Sequence, residues 1–215
     1  MRLHGYWRSS CSWRVRIALN LKGLSYEYVP VHLVKDGGEQ HSAAYRALNP
    51  MRMVPTLEFT DGGRVHHLSQ SLAILEYLEE RHPSPALLPA DPVLRARVRM
   101  LSEVMNSGIQ PLHNLSVMQR IKGELKGDDK AWAAHWIDRG LAALQALAQE
   151  TAGRYCVGDS VSFADLCLVP QLYSARRFGV DLQPYELLTR VEAACASLPA
   201  FQAAHADRQS DAVPA

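Results

Sequence analysis

"LHGYWRSSCSWRVRIALNLKG", residues 3–23, reads as a strand running straight into a helix. Leu3 to Trp7 is short and mostly apolar, the composition of a buried strand. Beyond Cys11 the period changes. Val15, Ala18, Leu19 and Leu21 fall near one helical face, and the pattern stops at Gly23, a natural C-terminal signal. At the junction stand Ser9, Ser10, Cys11 and Ser12, with Arg8, Arg14 and Arg16 close by. A helix N-terminus exposes unpaired N–H groups and carries partial positive charge, so a thiol held there becomes more acidic. Either Cys11 is itself activated, or the corner lowers the pKa of a thiol bound from outside. Capping the helix needs one hydroxyl, and three hydroxyls plus a thiol exceed that need.

Working outward, "YEYVPV" reads as a second strand, which Pro30 places at an edge or at its end. "HSAAYRAL" is a short helix candidate. "TLEF" and "RVHHL" flank the turn signal "TDGG" and read as a hairpin. "SQSLAILEYLEERH" has apolar residues at Leu72, Leu75 and Leu78 with acids opposite, an amphipathic helix opening after Ser69. The order β-α-β-α-β-β-α predicts a mixed four-stranded sheet with helices packed on it, over residues 1–82.

"PSPALLPADP" (83–92) holds four prolines and little charge, and 83–91 reads as a linker. From 92 to 215 only helical patterns follow, so an all-α domain is expected. Its first pattern, "DPVLRARVRMLSEVMNSGIQPLHNLSVMQRI", carries Pro92 near its start and a predicted kink or local break at Pro111. A second helix is "DKAWAAHWIDRGLAALQALAQE". A third, "SVSFADLCLVPQLYSARRF", opens on Ser162 and Asp165, a capping-box variant. "LLTRVEAACASL" is a fourth, and the end of the chain, "ADRQSDAVPA", reads as frayed.

A net charge of +1 over 215 residues argues against a nucleic-acid or polyanion partner. No apolar run approaches the roughly 20 residues that span a bilayer, and the N-terminus lacks an apolar signal core, so a cytoplasmic protein is expected. Cys11, Cys156, Cys167 and Cys195 are scattered without CxxC or zinc spacing. No metal site is expected, and the last three read as free core thiols.

Taken together, the sheet half, the proline linker and the helical half resemble a cytosolic glutathione S-transferase. "SSCSWRVRIALNLKG" closely resembles the signature of the zeta class, the maleylacetoacetate isomerases. The resemblance continues through "LNPMRMVPTLEF", "SQSLAILEYLEERHPSPALLP", "GIQPLHNLSV" and "FADLCLVPQLYSARRFGVDL". It implies a thioredoxin-like N-terminal domain, glutathione as cofactor and a homodimer. It also implies roles. Ser9, Ser10 and Cys11 match the positions that hold and activate the glutathione sulfur. Gln40 matches a contact to its glycyl end. Val54, before a cis-Pro55, matches the residue whose backbone pairs with the cysteinyl backbone. Gln70 and Ser71 match the binders of the γ-glutamyl carboxylate, again at a helix N-terminus. Gln110, Asn114, Leu115 and Ser116 match the helical-domain wall. Arg8 and Arg177 match basic residues facing an acidic substrate, whereas His113 stands where relatives often have Gln.

The activity implied is glutathione-dependent cis–trans isomerisation of maleylacetoacetate to fumarylacetoacetate in tyrosine and phenylalanine breakdown, with a small dicarboxylate as substrate. Maleylpyruvate isomerase is the close alternative, with the same chemistry on a shorter tail. A thiol–disulfide oxidoreductase is a rival, but Arg14 occupies the second position of what would be CxxC, leaving only a monothiol route through Cys11. A non-catalytic glutathione-binding protein on the same fold is a third reading.

Overall fold

The apolar residues that set the strand–helix reading lie in one core. Leu3, Val15, Ile17, Ala18 and Leu19 are fully buried, with Leu57, Ile74, Leu75 and Leu78 from elements further along the chain. The computed structural model describes residues 1–213. Residues 214 and 215, the end of the helical domain expected from sequence, lie outside the described residues.

The N-terminal unit runs β1 (Arg2–Gly5), α1 (Ser10–Leu21), β2 (Glu27–Pro30), α2 (Ala43–Leu48), β3 (Thr56–Asp61), β4 (Arg64–Ser69) and α3 (Ser71–Arg81). This is the predicted order. The sheet is ordered β2-β1-β3-β4, with β1 parallel to β2 and antiparallel to β3. Pro30 ends β2 at the sheet edge, where its missing N–H costs no ladder bond. The β3–β4 hairpin turns through Gly62 (φ 54°) and Gly63 (φ 73°), the positive dihedrals that a tight two-residue turn requires. Single-turn 3-10 segments at Lys35–Gly37 and Glu39–His41, not visible as a pattern in sequence, lead into α2.

The helical unit contains α4 (Pro92–Glu103), α5 (Leu115–Gly123), α6 (Asp129–Ala148), α7 (Phe163–Arg177) and α8 (Glu186–Ala196). Each of the first three starts on a side-chain cap. Asp91, Asn114 and Asp128 accept from Leu94 N, Ser116 N and Ala131 N. The α7 capping box is formed as read: Asp165 accepts from the Ser162 N–H at 2.8 Å and from the Cys156 N–H at 2.8 Å. Burial pushes the Asp165 carboxyl up.

Two expectations need correction. The chain divides at Pro85, not across an 83–91 linker: Ala86 to Ser197 form one unit, and the chain from Leu198 on rejoins residues 1–85. Residues 86–91 are drawn into the helical unit because Leu87 and Leu88 are buried and the Leu87 carbonyl accepts from Phe163 N at 3.2 Å. The C-terminal stretch, assigned to the 92–215 domain and read as frayed, is fixed against α1. It includes a further helix, α9 (Pro199–Ala204). Asn20 Nδ2 donates to Ala200 O at 3.1 Å, and Trp13 meets the His205 ring edge-on at 4.9 Å. Asp211 accepts from Trp7 N at 3.0 Å and from the Tyr28 hydroxyl at 3.3 Å.

The tie at the centre of this arrangement is Arg16. Its guanidinium is fully buried and donates to Trp7 O (2.7 Å), Ala204 O (3.1 Å) and Tyr6 O (3.4 Å). A second buried cation, Lys22, joins the end of α1 to Glu79 (2.8 Å) and to the carbonyls of His82 (2.6 Å) and Pro85 (3.0 Å). Replacing Arg16 by Met would take the guanidinium from the Trp7 and Ala204 carbonyls and leave Tyr6 O only the Ser9 N–H. We expect Arg16→Met to lose about 3–5 kcal/mol in urea unfolding. A loss below about 1 kcal/mol, the median for an exposed ion pair, would contradict this account.

Candidate functional site

The β1–α1 junction is where the sequence expected a thiol-binding corner. Ser9 is the N-cap of α1. Its N–H donates to Tyr6 O at 3.0 Å, and its Oγ accepts from Ser12 N at 3.2 Å. Trp13 N then starts the helical ladder on Ser9 O at 2.9 Å. This leaves the backbone N–H groups of Ser10 and Cys11 without a protein acceptor among the described residues. They are adjacent, at the positive end of a 12-residue helix. That makes them a ready pair of donors for an anion the size of a thiolate.

Cys11 is partly exposed, whereas Cys156, Cys167 and Cys195 are buried thiols outside any disulfide, as expected. Burial pushes the Cys156 and Cys195 thiols up, so neither competes as a nucleophile. Arg8 stands beside the corner, its guanidinium 5.2 Å from the Trp7 ring centroid. Stacking on an aromatic face orients a cation without neutralising it. Arg14 and Arg16, close to the corner in sequence, are fully buried.

Four other predicted positions lie in this unit, and two of them carry polar groups without a protein partner among the described residues. Gln40 is buried. Its Nε2 donates to Leu33 O at 3.2 Å, while its Oε1 is buried with no protein partner. An interior amide oxygen without a donor is uncommon, and a ligand N–H would satisfy it. Gly38 makes room for this side chain, because a Cβ there would lie 2.5 Å from the Gln40 amide. Val54 precedes Pro55 through a cis bond and lies just beyond the β1–β3 pairing. Among the described residues no group takes its N–H or C=O, so its edge is open to an added extended segment. The preceding loop is held by Tyr45 Oη and Asn49 Nδ2, each 2.7 Å from Met53 O. Gln70 caps α3 with φ at 69°, the left-handed region, and Ser71 is the buried first residue of that helix.

The helical unit accounts for the rest of the predicted set. The pattern breaks around Pro111, as expected, but α4 itself ends earlier, at Glu103. The chain changes at Val104–Ile109 into a π-helical turn and then into a 3-10 turn, Gln110–His113. Gln110 opens that second turn. Asn114 caps α5, accepting from Ser116 N (3.2 Å) and Ser116 Oγ (3.1 Å), and Leu115 follows it. Capping therefore uses the Asn114 carbonyl oxygen and leaves its amide N–H groups as donors. His113 is buried, with its Nε2 3.3 Å from Gln171 Nε2 and its ring 5.7 Å from Phe178. That is a structural histidine. Arg176 forks onto Glu192, at 2.6 Å and 2.5 Å, whereas Arg177 stacks on Phe178 at 5.0 Å. Of the two, Arg177 is the one not committed to this carboxylate fork.

Sequence reasoning missed Gly38, Tyr45, Gln171 and Gly140. The last had a faint signal, a glycine inside an otherwise strong helical pattern. An added Cβ at Gly140 would sit 2.3 Å from Ile109 Cγ1, so α6 accepts Ile109 in place of a side chain. Trp132, two turns earlier on α6, donates its Nε1–H to Leu112 O at 2.8 Å. Together they hold both ends of the irregular stretch that carries Gln110.

Residues 3–86 match the glutathione S-transferase N-terminal domain and residues 136–199 the glutathione S-transferase C-terminal domain. The chain is 54% identical to maleylacetoacetate isomerase of Rattus norvegicus over 97% of this chain and 94% of the other. Crystal structures of maleylacetoacetate isomerase from Anaeromyxobacter dehalogenans 2CP-1 are similar along its whole length. One has GSH bound in the active site (TM-score 0.91, 56% identity, 99% of this chain and 97% of that one). Another holds dicarboxyethyl glutathione and citrate (TM-score 0.90, 53% identity, 99% and 97%). A holo structure of a bacterial zeta-class maleyl pyruvate isomerase matches at TM-score 0.93 and 45% identity, covering 99% of this chain and all of that one. The chain belongs to the glutathione S-transferases and, within them, to the zeta-class maleylacetoacetate isomerase family.

Gly140→Ala tests the hold on the π-helical turn. Alanine gains about 1 kcal/mol of helix propensity over glycine, but overpacking costs about 1–3 kcal/mol. We expect net destabilisation in wild type and none in an Ile109→Ala background, where the atoms it would strike are gone. Thermal unfolding of the four proteins reads the difference, and equal effects in both backgrounds would refute the packing account.

Proposed function

We propose that the protein is a glutathione-dependent cis–trans isomerase, converting maleylacetoacetate to fumarylacetoacetate. The observation that carries this reading is the adjacent pair of acceptor-free N–H groups at Ser10 and Cys11. Among the described residues neither has a protein acceptor, Ser9 caps the same helix, and Arg8 precedes it, stacked on Trp7. The dicarboxyethyl glutathione held by a 53% identical relative supports it, because that molecule is glutathione joined at sulfur to a small dicarboxylate.

Glutathione fits the groups on this chain. The orphan Gln40 Oε1, the open Val54 backbone and the α3 N-terminus at Gln70 and Ser71 provide an amide acceptor, a strand edge and an anion site. When bound, glutathione supplies a thiolate that adds reversibly to an electron-poor double bond, which rotates as a single bond before the thiolate is eliminated unchanged. The Ser10 and Cys11 N–H groups, with the hydroxyls, hold that sulfur anionic. A free thiol with a pKa near 8.5 is only about 3% ionised at pH 7, so lowering it one to two units gains about tenfold. Arg8 and Arg177 are assigned the substrate carboxylates, which they orient by charge-assisted hydrogen bonds. The negative charge that develops on the substrate carbonyl calls for the same cations and backbone donors. In this reading Cys11 contributes its N–H more than its thiol. The enzyme is taken to act in the cytoplasm as a homodimer, which sedimentation of the purified chain would test.

Ser9→Ala and Ser10→Ala should lower kcat/KM more than Cys11→Ala does, by about tenfold or more, the size of the thiolate gain. An inactive Cys11→Ala enzyme with intact glutathione affinity would make Cys11 the nucleophile instead. Arg177→Gln should raise KM for the acidic substrate, by about tenfold for one charge-assisted pair, while Arg176→Gln should change it little. Equal effects of the two substitutions would refute that assignment. The substrate itself is tested by glutathione-dependent turnover of maleylacetoacetate beside maleylpyruvate. Faster turnover of the latter keeps the mechanism and changes the substrate. Turnover of neither, with glutathione bound, rejects the isomerase.

A further inference from the structure

Arg14 lies in the second turn of α1, fully buried, and its Nη1 donates to Ser71 Oγ at 3.3 Å. Ser71 is the first residue of α3, itself only 3% exposed, and follows Gln70 in its left-handed conformation. A guanidinium has donors only, so the Ser71 hydroxyl must be the acceptor in this bond. Its own O–H is thereby turned away from Arg14 and left to donate to another group. A hydroxyl that accepts from a cation is also polarised and becomes a stronger donor. Meanwhile the charge of Arg14, shielded from water and salt, lies behind the positive end of α3.

We propose that Arg14 is a positioning residue for glutathione: through Ser71 it orients and strengthens the donor that meets the γ-glutamyl carboxylate. This rests on the glutathione reading above. It separates two arginines that look alike in "WRVRI". Arg16 binds the chain's own carbonyls, and Arg14 acts toward a ligand.

The test is calorimetric titration of wild type, Arg14→Gln and Arg14→Lys with glutathione and with cysteinylglycine, which lacks the γ-glutamyl group. Melting temperatures of each protein accompany the titrations. In Arg14→Gln, glutathione should bind about tenfold more weakly while cysteinylglycine stays within about twofold, because only the former presents the carboxylate. Arg14→Lys keeps the charge and should retain the preference for glutathione within about threefold. Equal weakening of both ligands in Arg14→Gln would mean a merely structural role and would overturn the proposal, as would unchanged glutathione affinity. Where Arg14→Gln does not fold, Arg14→Lys decides: a retained preference supports the proposal, and its loss overturns it. Failure of the wild type to bind glutathione would reject the cofactor reading itself, and the proposal with it.

Discussion

Arg16 is the constraint on which the N-terminal unit depends. A buried guanidinium must find acceptors, and here they are the carbonyls of Tyr6, Trp7 and Ala204. The first two belong to the loop that leads from β1 into α1, and the third closes the C-terminal segment onto the same helix. Because Tyr6 O also receives the Ser9 N–H, the capping residue is fixed from two sides. The turn that carries the Ser10 and Cys11 N–H groups is thus placed by a charge that lies behind it. Burial lowers the Arg16 pKa, but the group stays a cation because its ordinary value is so high.

The same economy appears wherever a ligand group is expected. At Ser10, Cys11, Gln40 and Val54 a polar group has no protein partner among the described residues, while a neighbour takes up the bonds beside it. Ser9 takes up the third N–H of the first turn and so frees those of Ser10 and Cys11 by contrast. Leu33 occupies one end of the Gln40 amide and leaves the other. Tyr45 and Asn49 saturate Met53 O, so the loop presents Val54 rather than its neighbour. In the helical unit, Arg176 forks onto Glu192 and Arg177 stacks on Phe178.

Much of this was legible beforehand, for identifiable reasons. The strand–helix junction announced itself by a change of period, the hairpin by "DGG", and the α7 start by Ser162 with Asp165. Those are local signals, decided within one turn of chain. Less legible were the features that need two distant segments. The π-helical turn at Val104–Ile109 depends on Gly140, about 30 residues on in sequence, and a glycine's missing Cβ leaves almost no pattern. His113 looked out of place against its relatives until Gln171, on another helix, supplied its partner. The C-terminal segment looked frayed because its composition is polar, yet Asp211 is held by Trp7 and Tyr28.

The sequence by itself determined the order of elements in the N-terminal unit and the polar corner at the start of α1, which follow from period, capping and turn chemistry within a few residues. The residues expected to serve glutathione came from the resemblance to the zeta class. Only the tertiary structure decided which cation does what. Arg8, Arg14 and Arg16 are neighbours in one short stretch with equal charge, and sequence could only add them together. Folding separated them by burial and by partner: one stacked at the surface of the corner, one buried against Ser71, one buried among carbonyls. The physical reason is that an arginine's role is set by the acceptors within about 3 Å of its nitrogens. Those acceptors come from segments that the chain brings together only when it folds.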